Sequence, residues 1–110
     1  MIEALWSVEF MSNLQGAGAG VAVFETGRVL GGDAGFTYVG TYKNSGGRLE
    51  ADVVVSKYNN HGVSVFGDLQ KFTLHLEGVP KHDTFDVQGH MVENPSMKIA
   101  IRLTRRAELP

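Results

Sequence analysis

Apolar and polar residues alternate with period two along most of this chain. In residues 2–11, Ile2, Ala4, Trp6, Val8 and Phe10 share one parity, while Glu3, Ser7 and Glu9 share the other. Successive side chains of an extended strand point to opposite faces, so this spacing predicts a strand with one buried side. The pattern returns in Leu49, Ala51, Val53 and Val55, set against Glu50, Asp52 and Ser56. It returns again in Phe72, Leu74 and Leu76, in Phe85, Val87, Gly89 and Met91, and in Met97, Ile99, Ile101 and Leu103. Ser12-Asn13, Lys43–Arg48, Gly78–Asp83 and Glu93–Ser96 separate these runs with turn-forming residues.

The stretch on which the rest is organised is Gly31-Gly32-Asp33-Ala34-Gly35-Phe36-Thr37-Tyr38-Val39-Gly40-Thr41-Tyr42. Two glycines and an aspartate predict a tight corner in which Asp33 accepts backbone N–H bonds. A strand follows with Phe36, Tyr38 and Tyr42 on one side, a gap at Gly40, and Thr37, Val39 and Thr41 on the other. A second strand is read over residues 16–25, a hairpin turn at Glu25–Arg28, and a short third strand at Val29-Leu30. Gly16, Gly18 and Gly20 superficially match a dinucleotide-binding loop, but Val21–Phe24 and the turn at Thr26-Gly27 stand where that motif needs a helix. The reading adopted is a strand with a glycine face, crossed closely by Trp6 or another aromatic. Residues 63–69 are irregular, suiting a single helical turn or a lid, and the tail from Arg105 to Pro110 reads as loose.

Eight strands with short connections pair antiparallel in sequence order. Closing the sheet on itself removes both exposed edges, so the predicted fold is an all-β, eight-stranded, antiparallel up-and-down barrel in one domain, residues 1–110, with at most one short helix. A two-sheet sandwich of the same strands is the alternative. The predicted inward set comprises Trp6, Val8, Phe10, Tyr38, Val53, Val55, Phe72, Leu74, Phe85, Val87, Ile99 and Ile101.

Composition narrows the function classes. In 110 residues, 43% hydrophobic and 20% charged describes one ordinary globular domain. Ten basic against twelve acidic residues leave a net charge of −2, without the basic excess of a nucleic-acid binder. The absence of cysteine removes disulfides, thiolate metal sites and cysteine nucleophiles. No apolar run approaches the ~20 residues of a membrane-spanning helix, and the N-terminus lacks a basic and an apolar segment of secretory type. The expectation is a cytoplasmic protein that contacts neither nucleic acid nor membrane. Fourteen glycines against three prolines point to a strongly coiled sheet.

Candidate chemistry is sparse. His75 and His90 fall on the polar faces of two strands expected to pair, and neighbouring imidazoles bind metals or respond to pH. A metal site needs a third ligand that the spacing does not supply, so the reading is solvent-facing histidines and no metal or cofactor. Ser64, near His61, is the one serine with a histidine close by, yet it lies in no nucleophile elbow. Asp33 and Tyr38 are the candidates for a polar cluster at a barrel mouth. Lys98, Arg102, Arg105 and Arg106 form a basic strand and tail, read as a solvated face. No catalytic residue is assigned, and the expectation is a protein without enzymatic activity.

The segment Trp6-Ser7-Val8-x-Phe10-Met11-Ser12-Asn13, then Gly31-Gly32-Asp33 with Tyr38-x-Gly40-x-Tyr42, then Lys57-Tyr58-Asn59, resembles the GrlR family, small bacterial proteins named for the negative regulator of a type III secretion island. The resemblance implies a lipocalin- or calycin-like eight-stranded barrel with a short helix that assembles as a homodimer. It also implies a regulator of transcription that works by binding an activator protein rather than DNA. In that family an acidic tetrad between the fourth and fifth strands carries the contact. Here the matching turn, Lys43–Arg48, has no acidic run, and Glu50 and Asp52 are the nearest carboxylates. Two expectations result. One is a protein-binding regulator that uses Glu50 and Asp52. The other is a barrel that holds a small hydrophobic ligand among Trp6, Phe10, Tyr38, Phe72 and Phe85. An open interior of a few hundred Å³ favours the second, and a filled one the first.

Overall fold

In the computed structural model, which describes residues 2–60 and 63–110, eight strands close into a single antiparallel barrel. They are β1 (Ala4–Ser12), β2 (Ala17–Glu25), β3 (Arg28–Gly32), β4 (Phe36–Ser45), β5 (Arg48–Lys57), β6 (Lys71–Gly78), β7 (Thr84–Met91) and β8 (Asn94–Ala107). Each pairs with the next in sequence, and β8 returns to β1 with Leu5 opposite Ala107 and Phe10 opposite Ile101. The order is up-and-down throughout, and the sandwich alternative falls.

The alternating rows decide which face turns inward. Leu49, Ala51, Val53 and Val55 of β5 are all buried, as are Phe72, Leu74 and Leu76 of β6, while Glu50, Asp52 and Lys71 are exposed. Tyr38 and Phe36 turn inward from β4, and Thr37 and Val39 turn outward. A one-residue slip in any pair would carry a whole apolar row into water, which is why the register holds.

β2 shows how the glycine-rich strand earns its place. Its inward parity is Phe24, Ala22, Gly20 and Gly18, set across from Ala4, Trp6, Val8 and Phe10 of β1. A Cβ on Gly18 would sit 2.6 Å from the Phe10 ring, and one on Gly20 would sit 2.7 Å from the Tyr38 hydroxyl. Glycine therefore leaves room for two aromatics that cross the strand, Phe10 and Tyr38, whose ring centroids stand 6.5 Å apart. Trp6 lies instead across from Ala22.

Three local expectations are corrected. The tail is not loose: Arg105 pairs with Trp6 and Ala107 with Leu5, so β8 runs through Ala107. Its side chains explain the extension. Trp6 is fully buried, and the Arg105 guanidinium lies 4.9 Å from its ring while donating to the His82 carbonyl at 2.7 Å. Residues 63–69 form no helical turn, and no helix occurs among the described residues. An isolated bridge joins Ser64 to Gly67 there, and the buried Phe66 meets Phe72 edge-on at 5.5 Å. Finally, the turns before β5 and β8 are shorter than read, because Lys43–Ser45 belong to β4 and Asn94–Ser96 to β8. His61 and Gly62 lie outside the described residues.

Candidate functional site

The two ends of the barrel are built differently. At the end where β1 and β7 begin, Trp6 and Phe85 meet edge-to-face with centroids 5.0 Å apart, and the Trp6 Nε1–H donates to the Ile2 carbonyl at 2.9 Å. Large rings packed against each other fill that end. Beyond them the barrel encloses a cavity of about 360 Å³. The inward residues become small along this stretch, with Gly18, Ala22 and Ala51 in the wall beside Val53, Val55 and Phe72. Strands tilted around eight-stranded barrels leave a lumen that side chains just fill, so alanine and glycine at inward positions leave space.

Of the five aromatics expected to line a ligand site, Phe10, Tyr38 and Phe72 do so. Trp6 and Phe85 point inward but are absent from the cavity wall, because their mutual packing closes the opposite end. Phe24, Phe36 and Val29, which line the cavity, were not in the inward set read from the sequence. Phe24 and Val29 sit beside a tight hairpin where too few residues alternate to set the parity.

The mouth is organised by the Gly31-Gly32-Asp33 corner. Asp33 Oδ1 accepts from the backbone N–H groups of Gly35 and Phe36, each at 2.9 Å, and its Oδ2 accepts from the Tyr38 hydroxyl at 2.5 Å. Burial, reinforced by the adjacent carboxylate, pushes the Tyr38 hydroxyl above the usual phenol range, so it remains a donor. The aspartate thus caps the corner as expected, and both of its oxygens are engaged. Tyr58 and Asn59, just beyond the end of β5, lock onto the same corner: the Tyr58 hydroxyl donates to the Asp33 carbonyl at 2.9 Å, and Asn59 Nδ2 to the Ala34 carbonyl at 2.8 Å. The segments Gly31–Asp33 and Lys57–Asn59 are therefore one structural unit. Residues 63–65 complete the rim, with the Ser12 hydroxyl donating to the Val65 carbonyl at 2.6 Å and Val63 exposed while lining the cavity. Ser64 uses its hydroxyl in the turn, accepting from Phe66 N–H at 3.1 Å and donating to the Gly67 carbonyl at 2.8 Å.

Replacing Asp33 tests this corner. Asp33→Ala removes the acceptor of two backbone N–H groups and of a part-buried hydroxyl, and should cost about 2 kcal/mol of stability. Asp33→Asn retains Oδ1 for the two amides and should cost roughly half as much. Urea unfolding of both variants checks this, and an Asp33→Ala loss under about 0.5 kcal/mol would refute the assignment.

On the outer wall, Glu50 and Asp52 of β5 are exposed, as the partner-binding expectation requires. They stand opposite Glu77 and His75 of β6, respectively. His75 Nδ1 lies 2.8 Å from Asp52 Oδ1, and its Nε2 lies 3.3 Å from Glu77 Oε2. The hydrogen bond to Asp52 is the main cause that raises the His75 pKa, with Glu77 adding to it. His90 faces His75 across the β6–β7 ladder at 5.7 Å between ring centroids, as the spacing predicts. The basic residues of β8 are engaged locally: Arg102 holds Asp86 through two bonds of 2.9 and 3.3 Å, and Arg106 Nε donates to the Ser7 hydroxyl at 2.8 Å.

No protein-family model matches the chain, and no curated protein matches it. The site therefore stands on its geometry.

Proposed function

We propose that this protein is a non-enzymatic binding protein that holds a small, mainly apolar molecule in the barrel. The observation that carries the reading is the cavity of about 360 Å³, walled by aliphatic and aromatic side chains. That volume falls within the ~300–1,000 Å³ of small-molecule sites, far above the voids of a filled core. Among the described residues that line the cavity, Tyr38, Asp33 and Ser64 are the polar ones, so the favoured ligand is a hydrocarbon or aromatic body with at most one polar end. Asp33 and Tyr38 bond each other and the corner, an arrangement that supports a structural over a catalytic role. The outside of β5–β8 carries Asp52, His75, Glu77, Asp86 and Arg102, the reverse of the apolar belt of a membrane-spanning barrel. That distribution supports a water-soluble protein, and no helix among the described residues is long and apolar enough to cross a membrane.

Titration with the fluorescent probe N-phenyl-1-naphthylamine tests the proposal. Saturable binding of one probe per chain at micromolar concentration is expected, and probe emission that never saturates would overturn it.

A second reading, a homodimeric regulator of the GrlR type that binds a protein partner, is favoured by one outer feature. Leu5, Val23, Leu30, Val39 and Val54 are successive cross-strand partners around the outside of β1–β5, and Leu30 and Val39 are exposed. A contiguous outward apolar row suits a protein contact. Sedimentation should then report twice the 11.9 kDa chain mass, and a value near 11.9 kDa at micromolar concentration would remove the dimer.

A further inference from the structure

The geometry points to a divalent transition-metal site on the outer wall, formed by Glu50, His75 and Glu77. One donor atom from each of these residues lies within 4.8 Å of the other two. His75 Nε2 is 3.3 Å from Glu77 Oε2 and 4.0 Å from Glu50 Oε1, so the imidazole edge faces both carboxylates. Ions of the zinc class sit ~2.0–2.2 Å from nitrogen and oxygen ligands. The exposed Glu50 side chain, free to rotate, can close the remaining gap.

Three independent features set this cluster apart from an acidic patch. The first is orientation. Asp52 lies outside the donor set and engages His75 Nδ1 at 2.8 Å, directing Nε2 at the carboxylates. A carboxylate behind a ligating imidazole fixes its tautomer and raises its basicity. The second is an apparent defect: Glu50 and Glu77 are direct cross-strand partners. Like charges so placed destabilise a sheet; Arg48 on Glu77 and the imidazole between the two carboxylates offset part of that cost, and a bound cation would remove the rest. The nearby basic groups leave the site open. Arg48 takes Glu77 Oε1 at 3.2 Å and leaves Oε2 turned to His75, while Lys43, across from Glu50, makes no ion pair with it within 4 Å among the described residues. The third is His90, which stands opposite His75 on the next strand with its ring 5.7 Å away, beside the converging donor atoms though not among them. Gly89 brings it there: a Cβ at Gly89 would lie 1.7 Å from the His75 carbonyl oxygen, so only glycine lets β7 approach β6 this closely.

The donor set selects the ion. Imidazole with carboxylates suits zinc, cobalt, nickel or copper, whereas calcium and magnesium favour all-oxygen shells. The half-exposed position leaves a coordination place for water or for a donor from another molecule. The site is separate from the barrel cavity, since none of Glu50, His75 and Glu77 lines it.

The test is titration of the EDTA-treated protein with cobalt(II) chloride, followed by visible absorption, and with zinc chloride by calorimetry. One ion per chain at micromolar affinity is expected. His75→Gln and Glu77→Gln should each weaken binding at least ten-fold. Asp52→Asn, which touches no metal, should weaken it about ten- to a hundred-fold while leaving the cobalt spectrum otherwise unchanged. His82→Gln is the control, because the His82 imidazole pairs with its neighbour Asp83, away from the cluster, and its replacement should have no effect. Each variant replaces an exposed or half-exposed side chain, and its thermal melt establishes that it folds. Absence of any site tighter than about 1 mM, or affinity unchanged in folded His75→Gln, overturns the proposal.

Discussion

Trp6→Ala should be the most damaging single substitution in this protein, lowering its stability by about 3–5 kcal/mol. Trp6 is among the largest fully buried side chains, and three separate contacts end on it. Its ring packs edge-on to Phe85 at 5.0 Å, the Arg105 guanidinium lies 4.9 Å away, and its N–H is satisfied by the Ile2 carbonyl. Truncation would leave a large cavity at the closed end and remove the surface that holds the end of β8 against β1. A domain of this size has only ~5–15 kcal/mol in hand, so the variant should unfold at much lower urea. Phe85→Ala should cost a similar amount, and the double variant less than the sum, by about 0.5–1.5 kcal/mol of ring–ring coupling. Urea unfolding of the three variants measures this. A Trp6→Ala loss below about 1 kcal/mol would mean that the plug does not close the barrel as described.

Filling the cavity should abolish probe binding without harming the fold. Ala51 and Val55 are both buried and line the cavity, Val55 opposite Tyr38 of the mouth corner and Ala51 farther from it, opposite Tyr42. Ala51→Phe and Val55→Phe each place a ring in the space where the probe would sit. A core without a void resists such additions at ~1–3 kcal/mol, but a lumen of about 360 Å³ has room for one ring. Affinity for N-phenyl-1-naphthylamine should fall at least ten-fold, about 1.4 kcal/mol, with melting temperature unchanged or raised. Probe affinity retained in both folded variants would move the binding site out of the barrel and remove the main support for the proposed function. Both substitutions lie on the inner face, so the outer row Val23, Leu30 and Val39 and any partner bound there should be unaffected.

The two sites differ in how much of each was legible beforehand. The Asp33 corner was readable because an aspartate after two glycines has few local uses, and the structure shows the one expected. The His75–His90 neighbourhood was readable too, since counting from a hairpin turn places cross-strand partners. Glu50 was not recognisable as a partner of His75. Glu77 shares the strand and parity of His75, two residues on, and only its role beside Glu50 was hidden; Glu50 stands on β5, joined to β6 by residues 58–70, and nothing in that connection reveals the offset at which the two strands pair. The cavity was hidden for a related reason. Inward alternation names which residues face the lumen, but the volume left over depends on strand tilt and on which rings stack. Trp6 and Phe85 could have shared the cavity wall with Phe10 and Tyr38, and only packing placed them at the closed end.

By itself the amino-acid order determined strand number, the buried parity of most strands and antiparallel pairing, and it favoured a closed barrel over a sandwich, a choice that the β1–β8 pairing decides. Those features rest on period-two alternation and short turns, which act between neighbours in the chain. The tertiary structure alone decided the rest: the lumen that stays open, the end that is plugged, and the carboxylates gathered around one histidine. The lumen and the plug depend on side chains from strands far apart in the chain, such as Trp6 of β1 and Phe85 of β7, brought together when β8 pairs with β1; the carboxylates depend on the register at which β5 and β6 pair across a long connection.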